Sequence, residues 1–164
     1  MTPDYRTLLA ALDKRGVDFV IVGAVALVLH GSSRVTLDLD ICYSREAANL
    51  SRLAAALKPF NPKLRGAPDR LPFSLDAATL AAGLNFTLQT TAGDLDLLGE
   101  LTGLGTYKVV RRLSVSMEVY DHEVRVLGLD GLERAKRAAG RLKDLADLEE
   151  IIELRRQTRS RDSP

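Results

Sequence analysis

Almost nothing in this chain of 164 residues can form a covalent cross-link or a redox centre: Cys42 is the one cysteine, and there are two histidines. A lone thiol makes no internal disulfide, no Cys/His spacing suggests zinc, and a reducing, cytoplasmic setting is the expectation. An excess of charge is missing too. Lys+Arg 23 against Asp+Glu 22 leave a net charge of +1, so no strong field points to nucleic acid or to a membrane surface, although RNA stays open as a substrate. The longest apolar stretch, Phe19 to Leu29, is interrupted by Gly23 and is too short to span a bilayer. The opening Met1-Thr2-Pro3-Asp4-Tyr5-Arg6 lacks the basic run and apolar segment of a signal peptide, and no membrane partner is expected. There is no internal repeat and no low-complexity block. What is present, 46% hydrophobic and 27% charged, suits one soluble globular domain, expected over residues 1–157 with a frayed polar tail at 158–164.

The chain is organised around Leu37-Asp38-Leu39-Asp40-Ile41. Strict alternation of apolar and acidic residues predicts a two-faced strand, with Leu37, Leu39 and Ile41 toward the core. Asp38 and Asp40 then share the other face, roughly 6.6 Å apart along the backbone. Carboxylates that close repel by about 3 kcal/mol at an effective dielectric near 20. An edge strand with ordinary exposed charges is the alternative from this pattern alone, although a merely solvated face could use Lys, Thr or Ser instead. A divalent cation such as Mg²⁺ converts the repulsion into coordination, binding one or two carboxylates together with substrate phosphates.

Around this strand the pattern predicts a helix opened by Thr2-Pro3 and closed by Gly16, with Leu8, Leu9 and Leu12 facing inward. A strand from Val17 to Val22 and a helix from Val25 to His30 follow. A helix capped by Ser44 carries Leu50, Leu53, Ala54 and Leu57 and stops at Pro59. Pro59 to Pro72 reads as the mobile loop of the molecule. Beyond it come a short helix from Asp76 to Ala82, strands at Asn85–Thr90 and Asp94–Leu98, and a loop at Leu101–Gly105. One helical turn at Thr106–Arg111 and a hairpin of Val115–Tyr120 with Glu123–Leu127 lead to helices at Leu129–Ala139 and Leu142–Arg156, separated or kinked at Gly140. The order predicts an α+β layer with a mixed sheet.

A buried strand ending in Val22-Gly23-Ala24 passes at once into a helix. Glycine at such a turn lets a phosphate approach the backbone, and the helix N-terminus offers free N–H groups. With Asp38-Leu39-Asp40 on the next strand and Gly93-Asp94-Leu95-Asp96-Leu97-Leu98 later, the chain resembles the nucleotidyltransferase superfamily of DNA polymerase beta-like folds. Its signature is a glycine-led turn, an Asp-x-Asp strand and a third carboxylate on a later strand. Asp96, flanked by Leu95 and Leu97, matches the third carboxylate better than Asp94 beside Gly93. Ala24 departs from the Gly-Ser or Gly-Gly of many members and leaves backbone contacts alone at the turn, unless Ser32 or Ser33 supplies a hydroxyl. The segment Ala26-x-x-x-His30-Gly31-x-x-Arg34-x-Thr36-x-Asp38 looks like the toxin-type, AbiEii-like branch of minimal nucleotidyltransferases. Asp130, Lys136, Arg141, Lys143, Asp144 and Asp147 are similar to that branch's fourth motif.

The resemblance implies a nucleotidyltransferase fold, with a mixed β-sheet flanked by helices and C-terminal helices. It implies an enzyme that moves a nucleoside monophosphate from an NTP, ATP among them, to an acceptor hydroxyl on tRNA, another RNA or a protein. Asp38, Asp40 and Asp96 are the expected catalytic carboxylates and ligands of Mg²⁺, two ions included. Gly23, Ala24, Arg34, Lys136 and Lys143 are the expected nucleotide contacts, the two lysines sharing one face with Asp147 if the helix runs through Gly140. His30 is expected to make a structural hydrogen bond, and Cys42 to be a small buried side chain. A toxin-antitoxin or defence setting, with a cognate antitoxin as partner, follows from the branch. The rival reading is a nucleotidyltransferase-fold module that binds nucleotide or a partner without catalysis.

Overall fold

In the computed structural model, which describes residues 2–164, the chain runs α1 (Tyr5–Lys14), β1 (Phe19–Val22), α2 (Gly23–Leu29), β2 (Asp38–Tyr43), α3 (Ala47–Leu57) and a 3-10 turn (Lys58–Phe60). It continues through β3 (Lys63–Leu64), α4 (Ala77–Ala82), β4 (Asn85–Thr90), β5 (Gly93–Leu98), β6 (Glu100–Leu101), β7 (Gly105–Thr106), α5 (Tyr107–Arg112), β8 (Ser114–Val119), β9 (His122–Leu127), α6 (Leu129–Ala139) and α7 (Leu142–Arg161). Seven strands form one mixed sheet in the order β3-β4-β5-β2-β1-β9-β8, and β6 pairs with β7 in a separate small ribbon. The expected α+β architecture is present, with α1 packed on α3, α3 on α4, and α2 against both β2 and α6.

The centre of the sheet sets the geometry of everything else. All four residues of β1 are buried, as a strand covered on both faces requires. β1 runs antiparallel to β2, and β2 runs parallel to β5 in a register that places Asp38 opposite Asp94 and Asp40 opposite Asp96. Period-two alternation therefore sends all four carboxylates to one face, while Leu39, Ile41, Leu95 and Leu97 are buried on the other.

Several boundaries differ from the sequence reading. α1 is capped by Asp4, not Thr2: the Asp4 carboxylate accepts from Thr7 N at 3.0 Å. Pro3 instead lies against Gly93, and Asp4 N donates to Ala92 O at 2.7 Å, which ties the N-terminal segment to the β4–β5 turn. Leu37 is 65% exposed because β2 begins one residue later. Ahead of it, Thr36 is held by its own hydroxyl on Asp38 O and by the Tyr5 hydroxyl on its carbonyl, so the segment stays outside the sheet.

The expected loop at 59–72 contains β3, which pairs antiparallel with β4. It is pinned further by Thr91 N donating to Phe60 O and Arg65 N donating to Thr87 O. At the other end, Gly140 adopts φ +63° and closes α6 with a left-handed cap, so α6 and α7 are two helices. The tail expected to fray at 158–164 is helical through Arg161. Buried Ile151 and Leu154 anchor it, and Arg155 pairs with Asp130 and Glu133 of α6. No helix of the described residues is long and apolar enough to cross a membrane.

Candidate active site

Asp38, Asp40 and Asp96 each offer a carboxylate oxygen, and these three atoms lie within 4.8 Å of one another. The strand alternation explains Asp38 with Asp40; the parallel register of β5 against β2 adds Asp96 directly beside Asp40. Asp40 is the most enclosed of the three. Burial, followed by the charges of Asp96 and Asp38, raises its proton affinity until its pKa is about 7. Burial pushes Asp96 the same way, against the opposing pull of Arg65.

Gly23 stands at the β1–α2 turn with φ +66°, a conformation that side-chain-bearing residues adopt at a cost. A Cβ there would lie 2.1 Å from Asp40 Oδ2. The glycine is therefore required twice, once by its backbone and once by the carboxylate seated against it. Its observed role is to admit Asp40, a reason that the sequence pattern did not suggest. Ala24 follows in the first turn of α2, which has no side-chain cap.

A residue that the motifs did not single out closes the acidic face. Arg65, just after β3, reaches across β4 with its guanidinium. It donates to Asp96 Oδ1 at 2.9 Å and to Leu88 O at 2.9 Å. It also pairs with Asp94 Oδ2 at 3.1 Å and approaches Asp38 Oδ2 at 4.0 Å. Both candidates for third carboxylate meet Arg65, and of the two only Asp96 also shares the three-oxygen cluster with Asp38 and Asp40. The proline-rich surroundings of Arg65 carry no periodicity that would have marked it.

The remaining expected site residues lie on the α6–α7 side. Lys136 Nζ pairs with Asp147 at 2.8 Å and with Asp144 at 3.3 Å. Its charge also reaches Asp40 and lowers the proton affinity there. Lys143 is exposed and makes no ion pair among the described residues. The continuous helix that would align the two lysines is broken at Gly140. Arg34 is turned to α7, where it pairs with Asp147 at 2.6 Å and with Glu150. His30 Nε2 bonds to Leu127 O at 2.9 Å, a structural contact to β9. Cys42 is buried, with its thiol pushed up to about 12 by desolvation, and is inert at neutral pH. Ser32 Oγ accepts from Arg34 N in a local turn.

The donor set suits a hard divalent cation. Three carboxylate oxygens without nitrogen or sulfur are the ligands that Mg²⁺ takes. The raised proton affinity of Asp40 comes first from burial and then from the like charges of Asp96 and Asp38, and a bound cation opposes both by favouring the ionised form.

No family model matches the chain, and no curated protein matches it. Among solved structures, the chain is similar to a candidate nucleotidyltransferase (TM1012) from Thermotoga maritima, at 17% identity and a TM-score of 0.58 over 91% of this chain and 90% of that one. It is also similar to the antibiotic-resistance factor ANT(2'')-Ia in solution, at 16% identity and a TM-score of 0.56 over 96% and 90% of the two chains. The crystal structure of ANT(2'')-Ia with adenylyl-2''-tobramycin gives 17% identity and a TM-score of 0.55 over 97% of each chain. These likenesses identify the fold as that of nucleotidyltransferases.

Proposed function

We propose that this protein is a Mg²⁺-dependent nucleotidyltransferase that transfers a nucleoside monophosphate from an NTP to an acceptor hydroxyl and releases pyrophosphate. The observation that carries this reading is the carboxylate cluster of Asp38, Asp40 and Asp96 on one sheet face, beside a glycine turn that leaves no room for a side chain. Asp38, Asp40 and Asp96 would hold the ion or ions. When bound, Mg²⁺ supplies charge neutralisation to the phosphates in an in-line displacement.

The chain's own residues have separate tasks. Asp40, raised to about 7 without metal, would be fully ionised as a ligand. Asp96 would take the proton of the acceptor hydroxyl as the new O–P bond forms and the bond to pyrophosphate breaks. The backbone of Gly23 and Ala24 would receive phosphate oxygens. Lys136, whose field already reaches Asp40, is the cation nearest in role to the triphosphate, and Lys143 would add a second point charge from solvent. Arg34 is bonded to Asp147 and Glu150 through one guanidinium nitrogen, Nη2, and would have to turn from α7 or use its other nitrogens to join them.

The AbiEii-like features favour RNA, tRNA included, or a protein as acceptor, with a cognate antitoxin as regulator in a toxin-antitoxin or defence setting. The likeness to an enzyme crystallised with an adenylylated aminoglycoside, over 97% of each chain, adds a small polyhydroxylated cation to the acceptors to be tried. A binding module without catalysis is the rival, and the complete carboxylate set speaks against it. The deciding experiment offers each α-labelled NTP with Mg²⁺ to the purified protein, with total RNA, cell protein and aminoglycosides as acceptors. Label on one acceptor class is expected; absence of transfer and of pyrophosphate with every NTP would falsify the enzymatic reading.

A further inference from the structure

The acidic face of β2 and β5 already has a cation, and it comes from the chain. The Arg65 guanidinium bridges Asp96 Oδ1 at 2.9 Å and Asp94 Oδ2 at 3.1 Å, with Asp38 Oδ2 at 4.0 Å. Asp38 and Asp96 are two members of the cluster in which three oxygens come within 4.8 Å. The side chain is not a stray surface arginine. Its backbone N–H extends the β3–β4 ladder by donating to Thr87 O at 3.0 Å. Its guanidinium is tethered to the Leu88 carbonyl at 2.9 Å, and only 28% of the side chain is exposed. A planar fork with several donors fits such a set of carboxylates, and its charge does not titrate away.

We infer that Arg65 makes metal entry conditional on the triphosphate: it is the resident counter-cation of the carboxylate cluster and competes with a free divalent ion. This inference rests on the nucleotidyltransferase reading. A lone ion must share Asp96 and Asp38 with a fixed positive charge a few ångströms away. An ion arriving on a triphosphate brings the negative charge that compensates Arg65, so the two cations no longer compete. Asp94 has its part in this arrangement as the anchor that holds the guanidinium over the cluster rather than as a ligand. Arg65 is accordingly a positioning residue that acts on the order of loading.

The experiment measures Mn²⁺ binding by electron paramagnetic resonance, with and without a non-hydrolysable triphosphate analogue, on wild type, Arg65→Gln, Arg65→Lys and Asp38→Asn/Asp40→Asn. Arg65→Gln keeps a donor for Leu88 O and removes the charge, and its melting curve checks that it is folded. Without the analogue, Arg65→Gln is expected to bind Mn²⁺ about tenfold more tightly than wild type, the scale of one charge-assisted contact. Arg65→Lys, which keeps the charge and loses the fork, should fall between them. With the analogue the gap between wild type and Arg65→Gln should close. Equal or weaker Mn²⁺ affinity in folded Arg65→Gln overturns the inference while leaving the metal site intact. If no variant binds Mn²⁺ even with the analogue, or if Asp38→Asn/Asp40→Asn binds it as wild type does, the metal reading fails and this inference with it.

Discussion

Asp40 and Asp144 are both enclosed carboxylates in the same molecule, and their surroundings drive them in opposite directions. Asp40 is raised to about 7 by burial and by the like charges of Asp96 and Asp38. Asp144, with its side chain fully buried, is held at about 2, first by its hydrogen bond from Arg141. It accepts from Arg141 N at 3.1 Å, Arg141 Nε at 2.9 Å and Lys136 Nζ at 3.3 Å. One region thus collects negative charge with a single arginine against it, and the other matches each carboxylate with a donor. The second arrangement is how a fold satisfies a buried charge. The first is costly for a protein with no ligand to bind, and becomes useful once a cation arrives. Lys136 belongs to both regions, bonded to Asp144 and Asp147 while its field is felt at Asp40.

The strongest way to break the contrast is to neutralise the first region. Asp38→Asn with Asp40→Asn is expected to reduce nucleotidyl transfer at least about a thousandfold, since the charge stabilisation supplied through the site is lost. The same variant should melt higher than wild type in the absence of metal, because like-charge repulsion is removed. Labelled-NTP transfer and a melting curve read both outcomes; a double variant with wild-type activity would place the chemistry elsewhere.

Next in size is the dependence of stability on pH. Asp40 is raised above its ordinary value of 3.8 to about 7, so the folded state retains a proton that the unfolded chain releases. Its stabilising contribution is present below about pH 4 and is lost as pH rises through about 7, by at most about 4 kcal/mol. Denaturant titrations of metal-free protein across this window should show the decline, and Asp40→Asn should flatten it. Saturating Mg²⁺ with NTP should flatten it as well, by favouring the charged form. An unchanged slope in Asp40→Asn would show that Asp40 is not the group responsible.

The second region yields a smaller and opposite effect. Asp144→Ala removes the acceptor for the Arg141 backbone cap and leaves Lys136 with Asp147 alone. Its melting temperature is expected to fall by several degrees. Because Asp144 is depressed, its contribution is present above about pH 4 and is lost as pH falls through about 2. The variant should therefore lose acid sensitivity over that range, and thermal melts at successive pH values test it.

The smallest contrast is between the two lysines. Lys136→Ala is expected to weaken NTP affinity about tenfold, one charge-assisted contact, whereas exposed Lys143→Ala should change it by no more than about twofold. Neither the fold nor stability should respond to Lys143→Ala beyond about half a kcal/mol. Isothermal titration of Mg²⁺–NTP into both variants ranks them; a larger loss at Lys143 would put the triphosphate on the solvent side of α7.

Local sequence carried much of this. The alternation in Leu39-Asp40-Ile41 and Asp94-Leu95-Asp96-Leu97 names the residues of both faces, because side-chain direction in a strand follows from parity alone. Gly140 was legible as a break in the helical pattern, though whether it kinked or ended the helix depended on its φ. What parity cannot supply is register between distant strands. Asp40 meets Asp96 only because β2 and β5 pair in parallel without offset. Arg65 was hidden for the same reason: its partners are 23 to 31 residues away, and its own segment has no periodicity. The spacing of Arg34 before Asp38 points it toward phosphate, but its ion-pair partners lie on α7, 113 and 116 positions on by residue number.

The parallel pairing of β2 with β5 has a consequence for how the chain reaches this state. Closing that ladder sets Asp38 against Asp94 and Asp40 against Asp96, and directly opposed like charges disfavour a strand pair. The two strands are separated by two helices and two other strands, so this non-local closure already bears the entropy of a long loop. Electrostatic repulsion therefore adds to the cost of a non-local closure, before any substrate is met. A nascent chain would zip this part of the sheet faster in high salt or with divalent ions present, and the chemistry of the finished site would have been felt first as a barrier to making it.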